Sequence, residues 1–111
     1  MTLAEQLRRE LDADESIVSD NAEVLTAHSG DKWVAAETPE VVVFARSAVD
    51  ISKLLKFASD KKIPVTARGA GYGYVGGCVP VRKGIALSLM HMNRIKDVSF
   101  EDAIAVVEPG V

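Results

Sequence analysis

Residues 68–77 read Arg68-Gly69-Ala70-Gly71-Tyr72-Gly73-Tyr74-Val75-Gly76-Gly77. Five of the eight glycines in the chain fall between Gly69 and Gly77. A residue without a Cβ tolerates positive φ and lets a ligand approach the main chain closely. Successive backbone N–H groups can then form a concavity that takes an anion. The stretch follows Val65-Thr66-Ala67, which reads as a short strand. Ligands of α/β folds sit where a loop leaves the carboxyl end of such a strand. A phosphate or diphosphate is the natural guest, and backbone dipoles can hold it without local positive charge.

Working towards the N-terminus, Pro64 closes a segment with helical spacing. Ser47 and Asp50 stand at capping-box separation. Ile51, Leu54, Leu55 and Ala58 recur at i, i+3, i+4 and i+7, one face of a helix. Lys61 and Lys62 fall in its last turn, where cations suit the negative end of the dipole. Before it, Val41-Val42-Val43-Phe44-Ala45 is a β-branched run without alternation, the pattern of a strand buried on both faces. Strand, helix and strand make one βαβ crossover with parallel strands. Further upstream, Thr2 and Glu5 open a helix over residues 2–11 with Leu3, Leu7 and Leu11 on one face. Asp20 and Glu23 open a second short helix to about Ala27. Residues 28–37 have no period and read as loop, anchored by Trp33.

Working towards the C-terminus, Ile85-Ala86-Leu87-Ser88-Leu89 reads as a third strand and Met92-Asn93-Arg94-Ile95 as a turn. Val98–Phe100 and Ile104–Val107 read as a hairpin around Glu101-Asp102. The last residues are Glu108-Pro109-Gly110-Val111, and Pro-Gly after a strand normally launches a further element. A strand pair beside one crossover also leaves much edge to cover. The chain is therefore expected to be incomplete.

Composition narrows the classes. At 111 residues the chain is one domain at most. Hydrophobic residues are 48% and charged residues 26%, which excludes a disordered chain or a coiled coil. A formal charge of -3 argues against a nucleic-acid partner, since phosphate backbones are held by clustered Lys and Arg. The single cysteine, Cys78, cannot form an internal disulfide, so a reducing compartment is the default. No apolar run approaches the ~20 residues that span a bilayer. The N-terminus is charged throughout and lacks a secretory segment. The expected location is the cytoplasm.

Three phosphate-loop templates can be set against the glycine segment. The P-loop requires Gly-Lys-Ser/Thr, and Gly77-Cys78-Val79 does not supply it. The dinucleotide fingerprint G-x-G-x-x-G matches at Gly71–Gly76, yet it must open a helix. Here Gly77, Pro80 and Gly84 follow with no helical period. A diphosphate held in a strand-to-strand loop is what remains.

The run Pro64-Val65-Thr66-Ala67-Arg68-Gly69-Ala70-Gly71, followed by Gly76-Gly77 and Pro80, resembles the diphosphate loop of FAD-linked oxidases of the vanillyl-alcohol oxidase, or PCMH, type. Among them it is similar to the FAD-linked subunit of glycolate oxidase and to D-lactate dehydrogenases. Ser47 with Asp50, Ile51 and Leu54 resembles the first helix of that family. Met92-Asn93-Arg94-Ile95 resembles its MN-x-I turn, and Val107-Glu108-Pro109-Gly110-Val111 its V-x-PGV strand end. The resemblance implies an α/β (α+β) fold: a βαβ crossover, a glycine-rich diphosphate loop and a strand pair. Residues 39–111 would be the first half of a PCMH-type FAD-binding domain, and residues 1–38 a helical lead-in.

The resemblance further implies FAD contacts at Arg68, Gly69, Ala70, Gly71, Tyr72 and Gly73, with Gly76 and Gly77 shaping the turn. Many members have Thr where this chain has Tyr72. Members with covalently linked flavin have His there, so noncovalent FAD is expected. The parent activity implied is oxidation of a small 2-hydroxy acid of the glycolate or D-lactate kind. The substrate-binding cap of the family has no counterpart here, so no catalytic residue is assigned. A stand-alone nucleotide-binding module, a half that docks on a separate partner chain and a nonfunctional truncated product stay open beside this reading.

Other residues read as structural. His28 and His91 are lone histidines, better read as surface or internally satisfied than as metal ligands, which need three or four converging groups. Cys78 lacks an activating base and reads as a small buried residue. Met90 and Met92 read as core filler. Arg68 is equally suited to a phosphate or to a surface carboxylate. Tyr74 reads as packing the loop. Arg8-Arg9-Glu10 and Lys61-Lys62 read as solvated helix faces.

Overall fold

The computed structural model describes residues 1–31, 36–73 and 76–111. Trp33 and Tyr74, to which the sequence assigns anchoring and packing, lie outside the described residues. The elements are α1 (Leu3–Leu11), β1 (Val18–Ser19), α2 (Ala22–Ala27), β2 (Val41–Phe44), α3 (Ala48–Lys61), β3 (Val65–Arg68), β4 (Ile85–Ser88), β5 (Ile95–Ser99) and β6 (Ile104–Val107).

Four strands form one sheet in the order β1-β2-β4-β3. β2 and β3 run parallel on either side of β4. The crossover expected from the sequence is present, but it spans a gap that β4 fills. The burial pattern explains the order. All four residues of β4 are buried, and Val41, Val42 and Val43 of β2 likewise. β3 is only half-covered, with Ala67 exposed, and takes the edge. β1 pairs antiparallel with β2, Val18 opposite Val43. The sequence offers no strand signal at these two residues; Val18 is strand because β2 presents an open edge to it.

One face of the sheet carries Val41, Val43, Ala45, Ile85 and Leu87, and these share the core with Leu7 and Leu11 of α1 and Leu54 and Ala58 of α3. At roughly 25 cal/mol per Å² of apolar surface, this layer is the main stabilising term. The α3 stripe differs from the expected one by one position. Phe57 is buried and Leu55 is 48% exposed. Met92 joins the core as expected, whereas Met90 stays exposed.

The helix starts follow local chemistry. Thr2 and Glu5 form the expected reciprocal box, each backbone N–H donating to the other's side chain at 3.1 Å. Asn21, not Asp20, caps α2, accepting from Glu23 N at 2.9 Å. Asp20 instead pairs with Arg8 at 3.2 Å, and Arg8 Nε donates to the Val18 carbonyl at 3.0 Å. Arg8 is thus a half-buried tie from α1 to β1 and not a solvated charge. Ser47 occupies the N-cap of α3 but makes no side-chain cap hydrogen bond. The expected box fails because Asp50 accepts instead from Arg46. The helix ends at Lys62 in the left-handed conformation, with Pro64 following.

β5 and β6 form a separate antiparallel pair, as expected around Glu101-Asp102. Asp102 donates its N–H to Ser99 Oγ across the turn. Ile95, Val98, Ile104 and Val106 on this pair remain exposed.

Candidate functional site

Parallel strands β3 and β4 end at one edge of the sheet, with Arg68 beside Ser88 and Ser88 beside Phe44. Paired residues of parallel strands point to the same face. Arg68, Ser88 and Phe44 therefore form a row on the face opposite the main core, at the carboxyl end of the sheet. The Ser88 hydroxyl in that row is buried and has no hydrogen-bond partner among the described residues.

The glycine segment leaves β3 at this edge. Gly71 has φ +77° and Gly76 has φ +80°, the left-handed region where a side chain is strained. A Cβ at Gly71 would also strike the Arg68 guanidinium. Gly73 and Gly77 are different: they have no positive φ, and a Cβ on either would meet nothing within 4 Å. The fold does not demand glycine there, and the space beside them is open. Gly69, Ala70, Tyr72 and Gly73 are exposed. Among the described residues, the N–H groups of Gly69, Ala70, Gly71 and Gly73 find no acceptor within the chain.

Two residues ahead of the domain's first long strand hold the ends of the segment. Arg68 Nη1 donates to the Gly30 carbonyl. The Gly76 N–H donates to Asp31 Oδ2 at 2.9 Å. Cys78 lies 3.8 Å from Arg68 Nη1 and is half-buried, where the sequence reads it as a small buried residue. Arg68 braces the loop against the Gly30 carbonyl in this structure.

A cleft of about 470 Å³ lies against the segment, lined by His28, Arg68, Gly69, Ala70, Tyr72 and Gly110. This is within the ~300–1,000 Å³ of small-molecule sites. Its far wall is the Pro109-Gly110 turn. Gly110 donates its N–H to the Met92 carbonyl at 2.8 Å, and a Cβ there would overlap the Leu89 carbonyl oxygen. The Pro-Gly pair thus builds a wall of the cleft as well as ending a strand. His28 is 8% exposed and is internally satisfied, as the sequence reading has it. Its Nδ1 lies 2.9 Å from the Val24 carbonyl, which can only accept, so Nδ1 carries the proton. Its ring meets Phe44 edge-on at 5.3 Å, and His91 stacks on Phe44 at 4.8 Å.

Of the candidate residues, Arg68, Gly69, Ala70 and Tyr72 therefore share one cleft, while Gly71, Gly73, Gly76 and Gly77 do not line it. Sequence reasoning did not find Gly30, Asp31 or the cleft-forming part of His28. Their only local signal is an unpatterned loop, and their roles come from contacts across 38 and 45 residues. Among the described residues no group of His, Cys, Asp and Glu is placed to hold a metal ion.

Residues 39–111 match the sequence pattern of the FAD binding domain. The glycolate oxidase subunit GlcD of Bacillus subtilis is 36% identical over 73 residues, covering 66% of this chain and 16% of that protein. A D-lactate dehydrogenase of Anaerostipes hadrus is 38% identical over 73 residues, covering 66% of this chain and 15% of the other. Among solved structures, p-cresol methylhydroxylase with substrate bound superposes with a TM-score of 0.80 at 26% identity, over 97% of this chain and 22% of its own. The chain spans about a sixth of the length of the two curated relatives.

Proposed function

The chain belongs to the FAD binding domain family, and from that premise we propose that its glycine segment holds the diphosphate of a noncovalent FAD. The observation that carries the reading is the run of backbone N–H groups at Gly69, Ala70, Gly71 and Gly73 without acceptors. Exposed N–H groups without an internal acceptor are hydrated, and the oxygens of a ligand can take the place of that water. A diphosphate supplies acceptor oxygens to all of them, and the open space at Gly73 admits it. Arg68, Tyr72 and Ala70 complete the wall, and Gly76 and Gly77 turn the loop back.

Tyr72 is 65% exposed and offers no imidazole nitrogen for a flavin bond, which supports noncovalent retention. In the parent protein, the FAD held here would supply the redox chemistry for oxidation of a small 2-hydroxy acid. This chain's part is to bind and orient the cofactor, and it contributes no catalytic residue. The names of the two curated relatives support that substrate class. Among the described residues no helix is long and apolar enough to cross a membrane. The single cysteine is in keeping with action in a reducing compartment such as the cytoplasm.

The test is Gly71→Val in the native gene product. A β-branched residue at φ +77° cannot keep this backbone, so the flavin should be lost. Retention of stoichiometric yellow colour would sink the reading. The denatured intact mass of the wild-type protein should show no flavin adduct, and an added flavin mass would overturn noncovalent attachment.

A further inference from the structure

We propose that Asp31 is the positioning residue of the cofactor loop: its carboxylate pins the far end of the glycine segment and holds the near end in place to take an anion. The proposal rests on the FAD reading for what the loop holds, but not for how the loop is held. Gly30 and Asp31 are neighbours in sequence and grip opposite ends of one loop. The Gly30 carbonyl takes Arg68 Nη1 where the loop begins. Asp31 Oδ2 takes the Gly76 N–H, 2.9 Å away, where it turns back.

A loop with five glycines between residues 69 and 77 loses much conformational entropy when ordered. A hydrogen bond to an ionised acceptor is about twice as strong as a neutral one, and here it closes the loop at a left-handed glycine. Pre-organising a ligand loop lowers the ordering cost at binding. The charge has a second effect. One N–H cannot serve two anions well, and a carboxylate at Gly76 repels a phosphate from that end. The acceptor-free N–H groups at Gly69, Ala70, Gly71 and Gly73 lie on the near side of that fastening.

The experiment compares the native gene product with Asp31→Ala and Asp31→Asn. Amide hydrogen exchange at Gly76, followed without ligand, reads the fastening directly. FAD affinity, followed by flavin fluorescence, reads its consequence. Asp31→Ala should speed Gly76 exchange and weaken FAD binding, each by roughly tenfold. Asp31→Asn keeps an acceptor oxygen and drops the charge. It should retain Gly76 protection, and FAD binding should be equal or tighter. Unchanged exchange in Asp31→Ala would overturn the proposal, as would Asp31→Asn exchanging as fast as Asp31→Ala. A wild-type protein that takes no FAD, with exchange still released in Asp31→Ala, would remove the cofactor reading and leave the fastening intact.

Discussion

Asp50 takes three hydrogen bonds from a single residue, Arg46. Oδ2 accepts from the backbone N–H at 2.9 Å and from Nε at 2.8 Å, and Oδ1 accepts from Nη2 at 3.0 Å. The same Nη2 donates to the Leu11 carbonyl at 2.9 Å. One carboxylate thus fastens the start of α3 to the end of α1, beside the apolar layer the two helices share.

That arrangement has a pH signature. The hydrogen bonds from the Arg46 side chain hold the Asp50 carboxyl below its usual range, although burial acts the other way. Its folded pKa lies below the unfolded value of about 3.9. Its stabilisation is therefore complete above that value and is lost as pH falls through the folded pKa. Asp50→Asn should cost about 2 kcal/mol at pH 7. In urea titrations from pH 6 downwards, the gap between wild type and variant should stay constant to about pH 4 and then narrow. A gap that persists unchanged to the lowest pH would refute the link.

The two serine/threonine caps should behave differently although their sequence signatures match. Thr2 makes both bonds of its box, and Thr2→Ala should cost about 1 kcal/mol. Ser47 makes no cap hydrogen bond, because Asp50 is engaged by Arg46, and Ser47→Ala should be nearly neutral. Thermal unfolding of both variants decides it. A larger loss for Ser47→Ala would contradict the cap geometry.

Two glycines, Gly73 on the loop and Gly110 at the cleft, should separate ligand binding from folding. Gly73 has open space and no positive φ, so Gly73→Ala should leave stability unchanged or raise it by about 0.5 kcal/mol. The added methyl should nonetheless weaken FAD binding by roughly tenfold, since close approach to the backbone is lost. Gly110→Ala should do the reverse in origin: its Cβ overlaps the Leu89 carbonyl and must push out the Pro109-Gly110 turn. Its unfolding midpoint should fall by an amount set by a loss of about 2 kcal/mol. Equal behaviour of the two variants in unfolding would show that the turn is not a packed wall.

Much of the local structure was legible because its causes are local. The capping box at Thr2, the 3.6-residue stripe of α3, the unbroken run Val41-Val42-Val43 and the turn at Glu101-Asp102 each carry their reason within a few residues. Asp20, Asn21, Ser47 and Asp50 show the limit of this. All four are good cap residues by type, but Asp20 and Asp50 are drawn off by Arg8 and Arg46, whose positions depend on how α1 packs, leaving Asn21 to cap α2 and Ser47 without its box partner.

The sequence alone determined that a buried β-branched strand opens a crossover whose second strand runs into a glycine-rich loop. Strand burial and glycine freedom are properties of short runs of residues, so they can be read in order along the chain. Only the tertiary structure decided that β4 enters between β2 and β3, that Gly30 and Asp31 brace the two ends of the loop, and that Gly110 walls the cleft. Those outcomes depend on which edges and carbonyls come within hydrogen-bond reach across tens of residues. That reach is set by the packing of the whole sheet against α1 and α3, and no short stretch of sequence contains it.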